Sequence, residues 1–271
     1  MSTEAQAIID NARTAAMPQA LALGTYWIVN TPHGVEHIDL TGDQHRDQPR
    51  RKKGTVNVRD AASFLAYYDK HASPTAEVYA DRDRNTITAI LDAHTAHGGQ
   101  PEWQQHRVTL TLRHSDAFKA WQGISGNLLT QTQFAEFIED HRADVHDPTA
   151  ADLLELAQTF QATTKVSFKS STMLKSGQRQ LAYVEQIDAA GGQRGDLLIP
   201  DYLQLAIAVY EGATVADTVT ARLRYRIDGE GRLRIGVILD QLTDVIATAF
   251  EGVISEIDAQ VPVPVLRGTP A

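Results

Sequence analysis

The run VTARLRYRIDGEGRLRIGVIL, residues 219–239, constrains the fold of this chain more than any other stretch. Alternate residues of a strand share a face, so Leu223, Tyr225 and Ile227 point one way while Arg222, Arg224 and Arg226 point the other. Asp228-Gly229-Glu230-Gly231 supplies the turn, and Arg232 and Arg234 continue the alternation on the returning strand. The expected element is a hairpin with one apolar face and one basic, solvated face.

The same period of two recurs elsewhere. TYWIVN and VEHIDL read as short strands around TPHG, a turn supplied with Pro32 and Gly34. AEVYAD, NTITAILDAH and HRVTLTLRH predict a small antiparallel sheet, and KVSFKSS with RQLAYVEQID predicts a long hairpin across TMLKSGQ. In residues 191–212, Pro200 forbids a central strand and the run after it alternates.

Helical spacing appears between these runs. A first helix starts near Ser2, and NVRDAASFLAYYDKHA has Asn57 as its cap. Ser115 and Thr130 cap two further helices; Asp147 caps a third, with Pro148 at its first position. Residues 240–261 form a closing amphipathic helix, and PVPVLRGTPA is a Pro-rich tail. The fold class expected is α+β, with mostly antiparallel sheets, long hairpins and packed helices. Residues 1–54 read as an N-terminal arm with a basic loop, 55–260 as a single α+β body and 261–271 as the tail.

A chain of 271 residues buries a full core without staples, and the absence of cysteine removes disulfides, thiolate nucleophiles and Cys-ligated zinc. No stretch approaches the roughly 20 apolar residues of a membrane helix, and the N-terminus does not resemble a signal peptide. The expectation is a protein of the cytoplasm with no membrane partner. A net charge of −9 argues against general nucleic-acid binding. Arg46, Arg50, Arg51, Lys52 and Lys53 form a local exception, an exposed loop around Pro49 and Gly54.

The stretch ILDAHTAHGGQPEWQQHR gathers Asp92, His94, His97 and His106 around Gly-Gly-Gln-Pro and raises the question of a metal. Strand geometry argues against it, unless a bulge at Asp92 or an early strand end exchanges the faces. Asp92 and His94 share a face with Thr88, whereas His106 belongs to the apolar face with Val108 and Leu110. That register sets Arg107 beside Asp92 as an ion pair, Trp103 over the turn and His106 at a core edge. Glu136, Glu139 and Asp140 share one helix face near His141 and could hold Mg²⁺, but opposite Phe134, Phe137 and Ile138 they read as a solvated acidic face. No HExxH, Walker or serine-hydrolase motif is present. No catalytic, cofactor-binding or metal residue is therefore assigned, and no cofactor is expected.

Four segments together carry a resemblance: AEVYADRDRNTITAILDAH, PEWQQHRVTLTLRHSDAFKAW, LTQTQFAEFIEDHRADV and FKSSTMLKSGQRQLAYVEQ. They resemble the DUF2303 (YfdQ-like) family of uncharacterised phage and prophage proteins, over roughly residues 55 to 255. The resemblance implies phage origin and a life inside the bacterial host cell, and it supplies no activity or site residues. Prophage regions holding recombination and replication genes are the setting it implies.

Three functions follow as expectations. The first is a non-enzymatic assembly or interaction protein that forms a homo-oligomeric ring or shell, or binds a host or phage protein. Its supports are the missing catalytic motifs, long hairpins able to reach a neighbour, and a layout compatible with phage shell proteins. The second is an accessory of DNA recombination or replication that binds single strands or a recombinase through the basic loop, the stripe Arg222, Arg224 and Arg226, and aromatics such as Trp103 and Trp121. The third is a metal-dependent hydrolase using Asp92, His94 or the Glu136 cluster.

Overall fold

The computed structural model describes residues 3–16, 21–31, 33–94, 102–173, 179–190 and 199–270, with backbone alone at 13–16, 29–31, 161–173 and 179–190. Ser2, Pro32, His97, the 174–178 turn and most of the glycine-rich 191–198 region read from the sequence lie outside them. The chain divides into two compact units, Met1–Lys53 and Gly54–Ala271.

The first unit holds helix α1 (Thr3–Ala16) and an antiparallel hairpin of β1 (Tyr26–Thr31) and β2 (Gly34–Asp39). The β-branched and aromatic residues of TYWIVN suit a pleated strand, and Leu40 extends the ladder by bonding to Gly24 and Thr25. A 3-10 turn at Asp43–His45 leads into the basic loop. That loop folds back on Asp43, which accepts from Lys53 Nζ at 3.0 Å, while the Arg50 guanidinium donates to the Thr41 carbonyl at 2.9 Å.

In chain order, the second unit begins with β3 (Gly54–Val58), α2 (Ala61–His71), β4 (Glu77–Asp81), β5 (Thr86–Ile90), β6 (His106–Thr111) and α3 (Asp116–Ile124). It continues with β7 (Leu129–Thr130), α4 (Gln131–Asp140), β8 (Val145–Asp147), α5 (Ala150–Thr159), β9 (Gln161–Met173) and β10 (Arg179–Ala190). It ends with β11 (Tyr202–Ile207), β12 (Asp217–Ile227), β13 (Leu233–Leu239), α6 (Leu242–Asp258) and β14 (Val265–Arg267).

Two five-stranded sheets organise this unit. The first runs β14-β4-β5-β6-β3, with antiparallel pairs at its centre and a parallel strand at each edge. Its alternation buries Val78, Ala80, Ile87, Ala89, Val108 and Leu110. Both parallel edges depart from expectation. Asn57 is a β3 residue and not a helix cap; α2 is capped by Asp60, whose carboxylate accepts the Ser63 N–H at 2.7 Å. Residues 265–267, expected as tail, form β14 because the free edge of β4 offers backbone partners that composition does not reveal. Arg267 reinforces that pairing with two bonds to Glu251, at 3.0 and 2.6 Å.

The second sheet runs β7-β13-β12-β11-β8, antiparallel throughout. Leu203, Leu205, Val219, Ala221, Ile235 and Val237 face the core as alternation requires. Ser115 and Thr130 cap α3 and α4 as expected, the latter in a reciprocal box with Gln133. Asp147 does not cap α5. It lies in β8, and Thr149, with Asp152 three residues on, takes that role. Both sheets and α2 to α6 share one core centred on Phe64, Trp121, Phe134, Tyr210 and Phe250.

The hairpin of β9 and β10 pairs Gln161 with Ala190 and Met173 with Arg179 at its two ends. Its thirteen-residue strand spans roughly 40 Å at about 3.3 Å per residue. Among the described residues it pairs with no other strand. No described helix is long and apolar enough to cross a membrane.

Candidate functional site

The 90–107 stretch is a built turn. β5 ends at Ile90, which is the cross-strand partner of Arg107, so Asp92 lies beyond the ladder and not opposite that arginine as expected. Its two carboxylate oxygens accept the backbone N–H groups of Gln105 and His106 at 3.1 and 2.9 Å. His94 Nδ1 accepts the Glu102 N–H at 3.1 Å. His106 is buried at the core edge, 2.9 Å from the Tyr67 hydroxyl, with the His71 ring alongside. Trp103, expected over the turn, is 70% exposed. Asp92, His94 and His106 therefore serve the chain's own backbone and Tyr67. No cluster of three or more metal-ligating side chains exists among the described residues.

On α4, Glu136, Glu139 and Asp140 are exposed while Phe134 and Ile138 are buried. His141 stacks on Phe137 at 4.2 Å between ring centroids. The helix is an amphipathic core element with a solvated acidic face. Trp121 is fully buried, its indole N–H donating to Asp144 at 2.9 Å, which removes it from the aromatics able to meet a ligand.

The arginine stripe does reach solvent. Directly opposed residues of neighbouring strands share a face, and Arg226 faces Arg234, Arg224 faces Gly236, and Arg222 faces both Ile238 and Tyr202. Arg222 binds Asp240 at 2.9 Å and Arg234 binds Asp228 at 3.0 Å. The backbone N–H of Arg232, with the Arg234 guanidinium, holds the Asp228 carboxyl below its usual pKa. The Arg224 and Arg226 side chains are exposed and have no hydrogen-bond or ion-pair partner among the described residues. Arg232 leaves the face, pairing with Glu230 in the turn. Sequence reasoning missed Tyr202, which alternation with Gln204 and Ala206 in DYLQLA could have placed on the same face.

The first unit carries a second surface that patterning alone did not flag. Among its described residues none is buried. Tyr26, Ile28 and Val35 lie on one face of the β1–β2 hairpin and are 54, 61 and 57% exposed. Trp27 on the opposite face is 40% exposed, and Ile8 of α1 is 69% exposed. The signal was in TYWIVN, where Tyr26, Trp27 and Ile28 are consecutive and so put large apolar groups on both faces.

The family model described as "Uncharacterized conserved protein (DUF2303)" matches the chain over residues 1–270. No curated protein and no solved structure matches it.

Proposed function

The chain belongs to the DUF2303 family, and we propose that it is a non-enzymatic assembly protein that joins copies of itself through its N-terminal unit. The observation that carries this reading is the apolar surface of that unit. Ordering a residue costs about 1–2 kcal/mol, and burial of apolar area must offset it. A unit with no buried residue among those described, and with Tyr26, Ile28 and Val35 displayed together, needs an outside surface to pack on.

A second copy is the occupant we favour. The β1–β2 and β9–β10 hairpins are each two-stranded, so each leaves backbone N–H and C=O groups along its outer edges. Edges of that kind accept another strand of the same sort, and closed homo-oligomers are the commonest outcome of self-complementary surfaces. Phage origin and the bacterial cytoplasm are the setting this reading takes from the family resemblance; the ring or shell is its own inference from the hairpins and the exposed apolar surface.

Light scattering on nucleic-acid-free protein tests it. The full chain is expected to run as a discrete multiple of 29.7 kDa. An Ile28→Asp, Val35→Asp double variant, altered only at exposed positions, is expected to fall towards the single-chain mass with unchanged circular dichroism. A wild-type protein of single-chain mass at every concentration, or a variant that assembles as before, would refute the reading.

A further inference from the structure

We propose that the arginine face of the second sheet, on its exposed β11–β12 side, binds single-stranded nucleic acid, with Arg224 and Arg226 on phosphates and Tyr202 as a stacking surface for a base. The inference is independent of self-assembly through the N-terminal unit.

Charge is the first ground. Of the four arginines on this face, Arg222 and Arg234 are neutralised by Asp240 and Asp228. Arg224 and Arg226 have no carboxylate partner among the described residues. Alternate residues of a strand lie about 6.7 Å apart, so the two free guanidinium groups form a short line along β12. The chain as a whole is acidic, at a net −9, which disfavours a polyanion over most of its surface and confines favourable contact to local basic features such as this line.

The second ground is a local conflict. Arg226 stands directly opposite Arg234, and like charges in that position destabilise a sheet. Asp228 lessens that repulsion by binding Arg234, and it leaves the Arg226 side chain without a counter-ion of its own among the described residues. A phosphate between the two strands would relieve the Arg226 side.

The aromatic completes the argument. Tyr202 lies opposite Arg222 on the same face, is 52% exposed, and its hydroxyl has no hydrogen-bond partner among the described residues. Phosphate contacts along a strand beside an exposed ring are what a splayed single strand requires, whereas a paired, stacked base has no free face to offer the ring. Asp147, paired with Gln204 on the edge strand β8, bounds the footprint on that side.

Fluorescence anisotropy with a labelled oligothymidylate at low salt tests the proposal. Wild-type protein is expected to bind, with affinity falling as salt rises. Loss of two phosphate contacts in an Arg224→Ala, Arg226→Ala variant should weaken binding about tenfold or more and flatten the salt slope by about 1.4. Tyr202→Ala should weaken binding at least about fivefold and leave that slope unchanged. All three side chains are exposed, and matched melting temperatures serve as the fold control. Three results would overturn the proposal: no binding by the wild type, arginine variants that bind as well as the wild type, or a Tyr202→Ala variant with full affinity. The second would move the strand to another surface such as the 50–53 loop, and the third would reduce the face to a general polyanion contact.

Discussion

Gly236→Ala is the substitution whose effect the structure specifies most closely. A Cβ at this position would lie 2.1 Å from the Asn127 carbonyl oxygen and 3.1 Å from its carbon. Carbon and oxygen settle at about 3.3 Å or more, so a shift of roughly 1 Å is needed, and it must come from backbone. The segment that would have to move is tied down. Gly126 donates to the Val237 carbonyl at 2.8 Å, and Asn127 donates through its N–H to Ile124 and through its amide to Gly123. Ser125 Oγ accepts the Leu239 N–H at 3.0 Å, and β7 pairs with β13 directly after.

Overpacking of this kind costs about 1–3 kcal/mol, and each displaced hydrogen bond adds about 1 kcal/mol. Restricting the unfolded chain returns about 0.4–1 kcal/mol. The expected net loss is about 2–3 kcal/mol, which for a unit of this size lowers the melting temperature by roughly 5–10 °C. Thermal unfolding followed by circular dichroism reads it directly. Gly229→Ala is the control, because a Cβ there meets nothing within 4 Å and the variant should melt within about 1 °C of wild type. A Gly236→Ala protein that melts with the wild type would refute the claim that the 125–128 segment is anchored over β13.

Three further outcomes are expected. Asp92→Ala removes the acceptor of two backbone N–H groups and should cost about 2–3 kcal/mol in urea unfolding, Asp92→Asn clearly less, with no change in zinc retained after dialysis. Gly123→Ala, at an exposed α3 position where a Cβ meets nothing within 4 Å, should stabilise by about 0.5–1 kcal/mol in the same assay. Burial against Phe118 and Tyr210, with the Lys119 cation nearby, pushes the His114 imidazole below its ordinary pKa of 6.5. The unfolded chain therefore takes up this proton first, so the contribution is whole above pH 6.5 and is lost as pH falls below that value. The drop in urea midpoint between about pH 7.5 and pH 5.5 should shrink in His114→Gln, and an unchanged drop would count against this account.

What the sequence alone determined was local. Alternation in VTARLRYRI put Leu223 inward and Arg224 outward, and the Thr130 and Ser115 hydroxyls marked helix starts because a cap needs only its own next turn. Position 92 was readable as off the apolar face; its bonds to residues 105 and 106 depend on where β5 stops and how the turn closes. The parallel edges were not legible. β14 joins β4 across nearly the whole unit, and β3 joins β6 only after a helix and two strands have been placed between them. Nothing in RYRID and RLRIG separates a neutralised arginine from a free one. Asp240 and Asp228 reach Arg222 and Arg234 through the turn and strand register of the folded hairpin, while Arg224 and Arg226 are left to solvent. Short-range periodicity sets which face a side chain takes; the partner on that face is set by strand register and by segments far apart in the chain, and these exist only once the tertiary fold has formed.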